Sequence, residues 1–228
     1  ETWVILTEWY WPKHDLRRSE LKQALVENLK VIGKSNSTFA ETRDGLDHNI
    51  LKSNKLSIEW ATVRPIFRQL VDFASKKFNS HRIAIINNDI SFKYFANFRP
   101  EPNTVYCDSR YEMVNGSAMC FDEYHSIYGK GQSHRASQDA WLFQSGIQLR
   151  GGKFNLGVAV ATIELRGCFT ESGNKVLNYG KKIQLVHIHQ SQVRARVGRG
   201  IPSPFLLLDI NGMKTTEFYL TLPYYQSV

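Results

Sequence analysis

Cysteine is scarce in this 228-residue chain, which has only Cys107, Cys120 and Cys168. The three are widely spaced and odd in number, so the sequence indicates neither a disulfide framework nor a zinc ribbon. A reducing compartment is the simpler expectation for such a chain. We therefore expect a cytoplasmic location, in a host or cell cytosol.

Long apolar runs are also missing. No stretch approaches the roughly 18 consecutive apolar residues of a membrane-spanning helix, and no signal-peptide pattern precedes the first predicted strand. The first residue is Glu1 rather than Met, so we expect a piece excised from a longer protein. With 42% hydrophobic residues and no internal repeat, the sequence predicts a single domain over residues 1–228.

The chain is basic, with a formal net charge of +8. This charge favours anionic partners: nucleic acid, a membrane surface or phosphorylated small molecules. The Lys and Arg residues are scattered in twos and threes, without a long basic tail or a lone basic helix. The pattern favours a local phosphate pocket over a nucleic-acid groove, so we expect no nucleic-acid partner. A nucleic-acid-binding protein remains a third hypothesis that rests on the charge alone.

The apolar pattern of the first half predicts strands alternating with helices. A strand at Trp3 to Thr7 is followed by a helix from Asp15, whose side chain can cap the first turn, to Val31. The polar stretch 34–54 predicts a loop with little fixed structure. A strand at Leu56 to Trp60 and a helix from Pro65 to Phe78 come next.

The second half is richer in strands. Asn211-Gly212 between two apolar segments predicts a β-hairpin, and the polar, glycine-containing segment 128–137 predicts a mobile loop. The expected fold class is therefore α/β, a Rossmann-type, mostly parallel mixed sheet flanked by helices with a C-terminal β-hairpin. The remaining predicted elements are strands at Thr104 to Tyr106, Ala140 to Phe143 and Lys182 to His189, and a helix at Thr162 to Ser172.

The run from Arg82 to Phe92 carries the strongest chemical signal. Its apolar part, Ile83 to Ile86, predicts a strand buried on both faces of a parallel sheet. Asn87, Asn88 and Asp89 end that strand, and their oxygens are hard ligands suited to Mg²⁺ or Mn²⁺ on a diphosphate. Ligands of open α/β sheets gather at the same edge. The alternative is that these residues only form a turn, which Asn and Asp favour.

Two further segments carry candidate site residues. His187 and His189 are two residues apart on a predicted strand, so both imidazoles face the same side. They are candidates for one site, although nearby histidines are more often structural than a metal-binding pair. Asp139 precedes a predicted strand and follows the glycine-containing loop, and a helix or turn cap explains it equally well.

Taken together, these blocks resemble a GT-A-type glycosyltransferase family, whose domains occur in bacterial and large DNA virus glycosyltransferases. The resemblance spans about Thr2 to Arg194. It implies transfer of a sugar from a nucleoside diphosphate donor, with UDP the commonest nucleotide, to an acceptor hydroxyl on a glycan or glycoprotein. The blocks, in order, are Thr7-Glu8-Trp9, the segment from Lys13 to Leu21, Arg64-Pro65, the segment from Asn88 to Phe92, Ser109-Arg110-Tyr111, Gln138-Asp139-Ala140-Trp141, Phe154-Asn155-Leu156-Gly157, and His187-Ile188-His189-Gln190-Ser191.

The resemblance also implies a divalent cofactor, Mn²⁺ or Mg²⁺, on the diphosphate. Asp89 corresponds to the last carboxylate of an Asp-x-Asp-like motif, with Asn87 where many such enzymes have another acid. His187 or His189 corresponds to a late metal ligand. A metal ion and arginines stabilise the negative charge that develops on a leaving nucleoside diphosphate.

The donor itself is expected at the ends of the first strands. Thr7 and Glu8 lie where the resemblance places the nucleoside, and Arg17 and Arg64 are the candidates to face the diphosphate. Asn88 belongs to the same donor-binding set, as part of the turn that carries Asp89.

One departure from the family pattern concerns the catalytic base. Thr162 stands where an Asp is expected, and a threonine hydroxyl is not a general base at neutral pH. Three alternatives follow: Asp139 deprotonates the acceptor, Glu164 does so, or the enzyme retains configuration and needs no protein base. A catalytically inactive nucleotide-sugar or carbohydrate-binding domain is the alternative to an enzyme.

Overall fold

The computed structural model describes residues 3–31, 35–40, 46, 48–60, 64–94, 98–108, 110–114, 116–120, 139–156, 161–177, 183–188, 205–208 and 215–218. None of the described helices is long and apolar enough to cross a membrane. The helices are α1 (Asp15–Val31), α2 (His48–Leu51), α3 (Phe67–Lys77) and α4 (Ala161–Glu171). The strands are β1 (Trp3–Trp9), β2 (Ser35–Ala40), β3 (Leu56–Trp60), β4 (Arg82–Ile86), β5 (Ile90–Tyr94), β6 (Thr104–Asp108), β7 (Tyr111–Val114), β8 (Ser117–Cys120), β9 (Ala140–Gln144), β10 (Lys175–Leu177), β11 (Gln184–His187), β12 (Phe205–Leu208) and β13 (Thr215–Phe218).

The strands form a large mixed sheet, a smaller sheet and a separate pair. The large sheet has the order β10-β6-β9-β4-β1-β2-β3, and its strand pairs are parallel except those that β9 makes with β4 and β6. The smaller sheet has the order β5-β11-β7-β8, and β12 pairs with β13 in antiparallel fashion. The expected fold class, a mostly parallel mixed sheet flanked by helices with a C-terminal antiparallel pair, is confirmed.

The two faces of the large sheet are both buried, because successive side chains of a strand face opposite sides. Leu6 on β1 and Ile85 on β4 belong to a core with residues of α3 and α4. Ile5 and Ala84 belong to a second core that includes residues of β5 and β11. One face of the large sheet therefore packs against α3 and α4, and the other packs against the smaller sheet and, through Trp9 of β1, against α1 and α2.

Three expectations from the sequence need correction or stay open. The stretch 34–54, expected as a loop, contains β2 and α2. Strand β2 pairs through its backbone with β1 and β3, a non-local contact that its polar sequence does not reveal. Strand β4 is buried on both faces as expected, yet only β1 is a parallel neighbour and β9 is antiparallel. The segment 128–137 lies outside the described residues.

Helix α1 is docked against the smaller sheet by one buried amide. Asn28 donates from Nδ2 to the carbonyl of Ile90 at 2.8 Å, and its Oδ1 accepts from the amide of Phe92 at 2.9 Å. Asn28 is 4% exposed. A single side chain therefore satisfies two backbone groups of β5 and fixes the position of α1 beside it.

Replacing Asn28 by Leu, which has the same number and branching of side-chain heavy atoms, should lower the free energy of unfolding by about 2 to 4 kcal/mol. The reason is that one buried carbonyl and one buried N–H lose their partner. Urea unfolding monitored by circular dichroism checks this value. The matched control is Gln23→Leu on the exposed face of the same helix, for which we expect a change within about 0.5 kcal/mol. Equal effects of the two substitutions would contradict this account of α1 docking.

Candidate functional site

The turn between β4 and β5 lies at the carboxyl edge of the parallel part of the large sheet. The amide of Ile90 donates to the carbonyl of Asn87 at 3.2 Å, which closes the turn around Asn88 and Asp89. The amide of Ile188, just after β11, donates to the carbonyl of Asp89 at 2.8 Å. Both backbone contacts fix Asp89 relative to the two sheets.

The carboxylate of Asp89 is buried and held by two cationic side chains. Its Oδ2 accepts from Arg17 Nη2 at 2.6 Å and lies 3.1 Å from Nε2 of His187. Arg17 is in the first turn of α1, and His187 is the last residue of β11. Asp89 is only 8% exposed, so these contacts replace most of its hydration.

Burial and neighbouring charges shift the pKa values of Asp89 and His187 in opposite directions. Burial alone would raise the pKa of Asp89, but His187 and Arg17 outweigh it and hold this pKa well below its usual range. Burial alone would lower the pKa of His187, but attraction to Asp89 and hydrogen bonds to Asp89 and Glu112 raise it to about 9. At neutral pH the imidazole is therefore protonated and donates from both nitrogens.

From His187 a chain of contacts runs on to the start of β9. His187 Nδ1 lies 2.9 Å from Glu112 Oε2, and Glu112 Oε1 accepts from Arg110 Nε at 2.6 Å. Arg110 Nη1 then donates to Asp139 Oδ2, and Asn87 Nδ2 donates to Asp139 Oδ1, both at 2.6 Å. The last contact returns to the β4–β5 turn.

We call this set of residues the ion network. Carboxylates alternate with cations along it, and the carboxylates outnumber the cations by one when His187 is protonated. At its other end, Glu20 Oε2 accepts from Arg17 Nη1 at 3.1 Å. Its members are Glu20, Arg17, Asp89, His187, Glu112, Arg110, Asp139 and Asn87.

Two buried polar atoms near this edge have no hydrogen-bond partner among the described residues: Thr7 Oγ1 and Asn87 Oδ1. Thr7 follows Leu6, which pairs with Ile85 on β4, so both atoms belong to neighbouring strand ends. Buried polar atoms are normally paired with protein, water or an ion. Each atom is therefore a candidate contact for a ligand or a water molecule.

Glu8 and Arg64 form a separate pair. Arg64 Nε donates to Glu8 Oε2 at 2.7 Å, and the Arg64 guanidinium also donates to the carbonyl of Leu156. The side chain of Asn155 donates to the carbonyls of Arg64 and Pro65 at 3.1 and 3.0 Å. These contacts join the end of β1 to the segment before α3.

The structure thus brings part of the predicted site together. Arg17, Asn87, Asp89, Asp139 and His187 belong to one network of direct contacts. Thr7, the Glu8–Arg64 pair and Glu164 are not members of the ion network as defined above. Asn88 lies in the turn itself, and His189 lies outside the described residues.

Glu164 lies in the first turn of α4, after Thr162, and is partly buried. Its Oε2 is buried without a hydrogen-bond partner among the described residues, and burial raises the pKa of this carboxyl. A carboxyl with a raised pKa is a better proton acceptor than an ordinary one, which keeps Glu164 as a candidate base.

Sequence reasoning missed three members of the network: Glu20, Arg110 and Glu112. One local signal was available, because Glu20 lies three residues after Arg17 on the same helix. The register that pairs His187 with Glu112, between parallel β11 and β7, is a non-local feature that the sequence does not show.

No protein-family model matches the chain, and no curated protein matches it either. A crystal structure assigned as a glucose-1-phosphate thymidylyltransferase from Bacillus anthracis, in complex with sucrose, is similar over 82% of this chain and 89% of that chain. The TM-score is 0.45 and the sequence identity is 10%. Because this score is below 0.5, the likeness carries no argument about activity, and we infer the function from the site's own residues.

The raised pKa of His187 predicts a pH-dependent contribution to stability. The folded pKa of about 9 exceeds the ordinary value of 6.5, so the stabilisation is present below pH 6.5 and is lost as the pH rises through 9. In metal-free protein, His187→Gln should therefore lower the free energy of unfolding more at pH 6 than at pH 10. The difference between the two losses should be at most about 3 kcal/mol. Urea unfolding at both pH values measures it, and equal losses would contradict a charged His187.

Proposed function

We propose that this chain is a glycosyltransferase that moves a hexose or pentose from a UDP-sugar to a hydroxyl of a glycan or glycoprotein acceptor, assisted by a divalent ion. The observation that carries the proposal is the β4–β5 turn. It holds Asp89 ionised at the carboxyl edge of parallel strands and leaves Asn87 Oδ1 buried without a hydrogen-bond partner in the described part of the chain. Ligands of open α/β sheets bind at this edge.

The residues of the turn fit a divalent ion shared with a diphosphate. In the described part of the chain, no three His, Cys, Asp or Glu side chains form a metal-binding group. Mg²⁺ sites commonly use one or two protein oxygens and take the rest from phosphates and water. Asp89 and Asn87 would supply such oxygens, and the ion would neutralise the charge of the leaving diphosphate. His187 would have to release a proton and its contact with Asp89 before Nε2 became a ligand.

Charged groups beside the turn suit the remaining parts of a nucleotide sugar. Arg17 already lies 2.6 Å from Asp89, and a guanidinium offers further N–H donors to phosphate oxygens. Arg64 is paired with Glu8 at the end of β1. The hydroxyl of Thr7, which has no hydrogen-bond partner among the residues described, is the proposed contact for the nucleoside, as either donor or acceptor.

The acceptor hydroxyl must lose its proton during an inverting transfer. Asp139 and Glu164 are the two candidate proton acceptors, and a retaining mechanism that needs neither is the third alternative. Glu164 has the raised pKa that suits a base. Asp139 is connected to Asp89 through the ion network, but both of its oxygens already accept hydrogen bonds.

A second candidate function is a nucleotide-sugar or carbohydrate-binding domain without catalysis. The pairing of Asp139 with Arg110 and Asn87 favours it, because a carboxylate held on both oxygens is poorly placed to remove a proton. Thr162, which stands where the resemblance expects a base, also favours a binding domain without catalysis. Slow hydrolysis of the UDP-sugar with Mn²⁺ supports the enzyme, and binding without any turnover supports the binding domain.

The donor site is tested by thermal unfolding with a panel of nucleoside diphosphates and nucleotide sugars, with and without Mn²⁺, and with nucleic acid. A ligand that binds only the native state raises its stability. We expect a shift with UDP or a UDP-sugar that is larger with Mn²⁺. Asp89→Asn keeps the size of the side chain but removes its charge, and should weaken the Mn²⁺-dependent binding about tenfold or more.

The matched control is Asp72→Asn, at an exposed carboxylate of α3 that pairs only loosely with Arg68 at 3.7 Å. This variant should keep the full nucleotide-dependent shift. No shift with any nucleotide, together with a strong shift with nucleic acid, would overturn the proposed function and favour the argument from net charge.

A further inference from the structure

Asp139 is held on both of its carboxylate oxygens. Oδ2 accepts from Arg110 Nη1 and Oδ1 accepts from Asn87 Nδ2, each at 2.6 Å. The backbone amide of Asn87 also donates to the Asp139 carbonyl at 3.0 Å, and the residue is only 7% exposed. Because both of its oxygens already accept hydrogen bonds, Asp139 is better suited to orienting its neighbours than to accepting a proton from a substrate hydroxyl.

The contact with Asp139 determines which way the Asn87 amide faces. A side-chain amide has donors on its nitrogen and an acceptor on its oxygen, and an ionised carboxylate can only accept. The NH₂ group of Asn87 must therefore face Asp139, and Oδ1 must face elsewhere. That oxygen is buried and has no hydrogen-bond partner among the described residues. Such a group in a folded protein is commonly explained by a water molecule or an ion.

We propose that Asp139 is a positioning residue, which orients the amide of Asn87 so that Oδ1 serves with Asp89 as an oxygen ligand of a divalent ion. This inference rests on the proposed function, since the ion is the one that would bind the diphosphate. Arg110 takes part by holding the opposite oxygen of Asp139. Asp139 then acts on the ion through Asn87 and is not the proton acceptor.

The ion network extends this support to the other oxygen ligand. Arg110 also bonds Glu112, and Glu112 in turn holds the His187 imidazole whose Nε2 faces Asp89. The two proposed oxygen ligands, Asp89 and Asn87, are therefore joined by a chain of contacts through His187 of β11, Glu112 of β7, and the residues just before β7 and β9. Side chains that orient metal ligands typically change metal affinity by about 10- to 100-fold when they are replaced.

The test measures UDP affinity by calorimetry with and without Mn²⁺, alongside hydrolysis of the UDP-sugar. In Asp139→Asn, we expect UDP affinity with Mn²⁺ to fall about 10- to 100-fold and UDP affinity without metal to stay unchanged. Turnover should recover when Mn²⁺ is raised. Asn87→Ala leaves the Asp139–Arg110 pair intact and should show the same loss of UDP affinity with Mn²⁺. This variant replaces Asp139→Asn as the test if Asp139→Asn does not fold. Glu27→Gln, at a carboxylate of α1 bonded to Ser91 and Lys93, is the matched control and should bind like the wild type.

Three other results would overturn the inference. If Asp139→Asn keeps its Mn²⁺-dependent UDP affinity but loses turnover at every Mn²⁺ concentration, Asp139 is the proton acceptor and the inference is overturned. If the wild type binds UDP equally well with and without Mn²⁺, the inference fails while the proposed donor site stands. If the wild type does not bind UDP under either condition, the proposed function and the inference both fail.

Discussion

The structure of the site depends on the cost of burying one negative charge. Asp89 is almost completely enclosed, and an isolated buried carboxylate would be protonated rather than charged. Arg17 and His187 keep it ionised, and His187 needs Glu112 on its other nitrogen because it carries a charge of its own. Each counter-charge requires the next one, which explains why carboxylates and cations alternate from Glu20 to Asp139.

This dependence links separate parts of the fold. The network takes residues from α1, from the β4–β5 turn, from β7 and β11 of the smaller sheet, and from the start of β9 in the large sheet. A side chain in the turn is therefore positioned by both sheets. Support from both sheets places ligand-binding groups with little reorganisation on binding, as the proposed donor site requires. Although the whole chain is basic, the network carries one more carboxylate than cation, so a divalent ion rather than the protein alone would attract a diphosphate here.

The sequence predicted the features that depend on local pattern. The apolar run before Asn87 predicted a buried strand, and Asp89 was recognised because a lone carboxylate at a strand end is a local signal. Helix α1 and the β12–β13 pair were likewise predicted from spacing and from Asn211-Gly212. Most of the missed features depend on pairing between distant segments. Two had local signals that were not recognised: the spacing of Glu20 from Arg17, and Asn115-Gly116 between β7 and β8. The polar β2 becomes a strand because β1 and β3 flank it, and Glu112 reaches His187 because of the β7–β11 register.

The central claim is that the β4–β5 turn binds a divalent ion together with a nucleoside diphosphate. A crystal structure of the chain grown with UDP and Mn²⁺, with anomalous data collected at the manganese edge, tests it most directly. The account predicts one anomalous peak in contact with the carboxylate of Asp89 and Oδ1 of Asn87, with the diphosphate on its other side. Bound UDP without a peak at this turn, or a peak held by other residues, would contradict it.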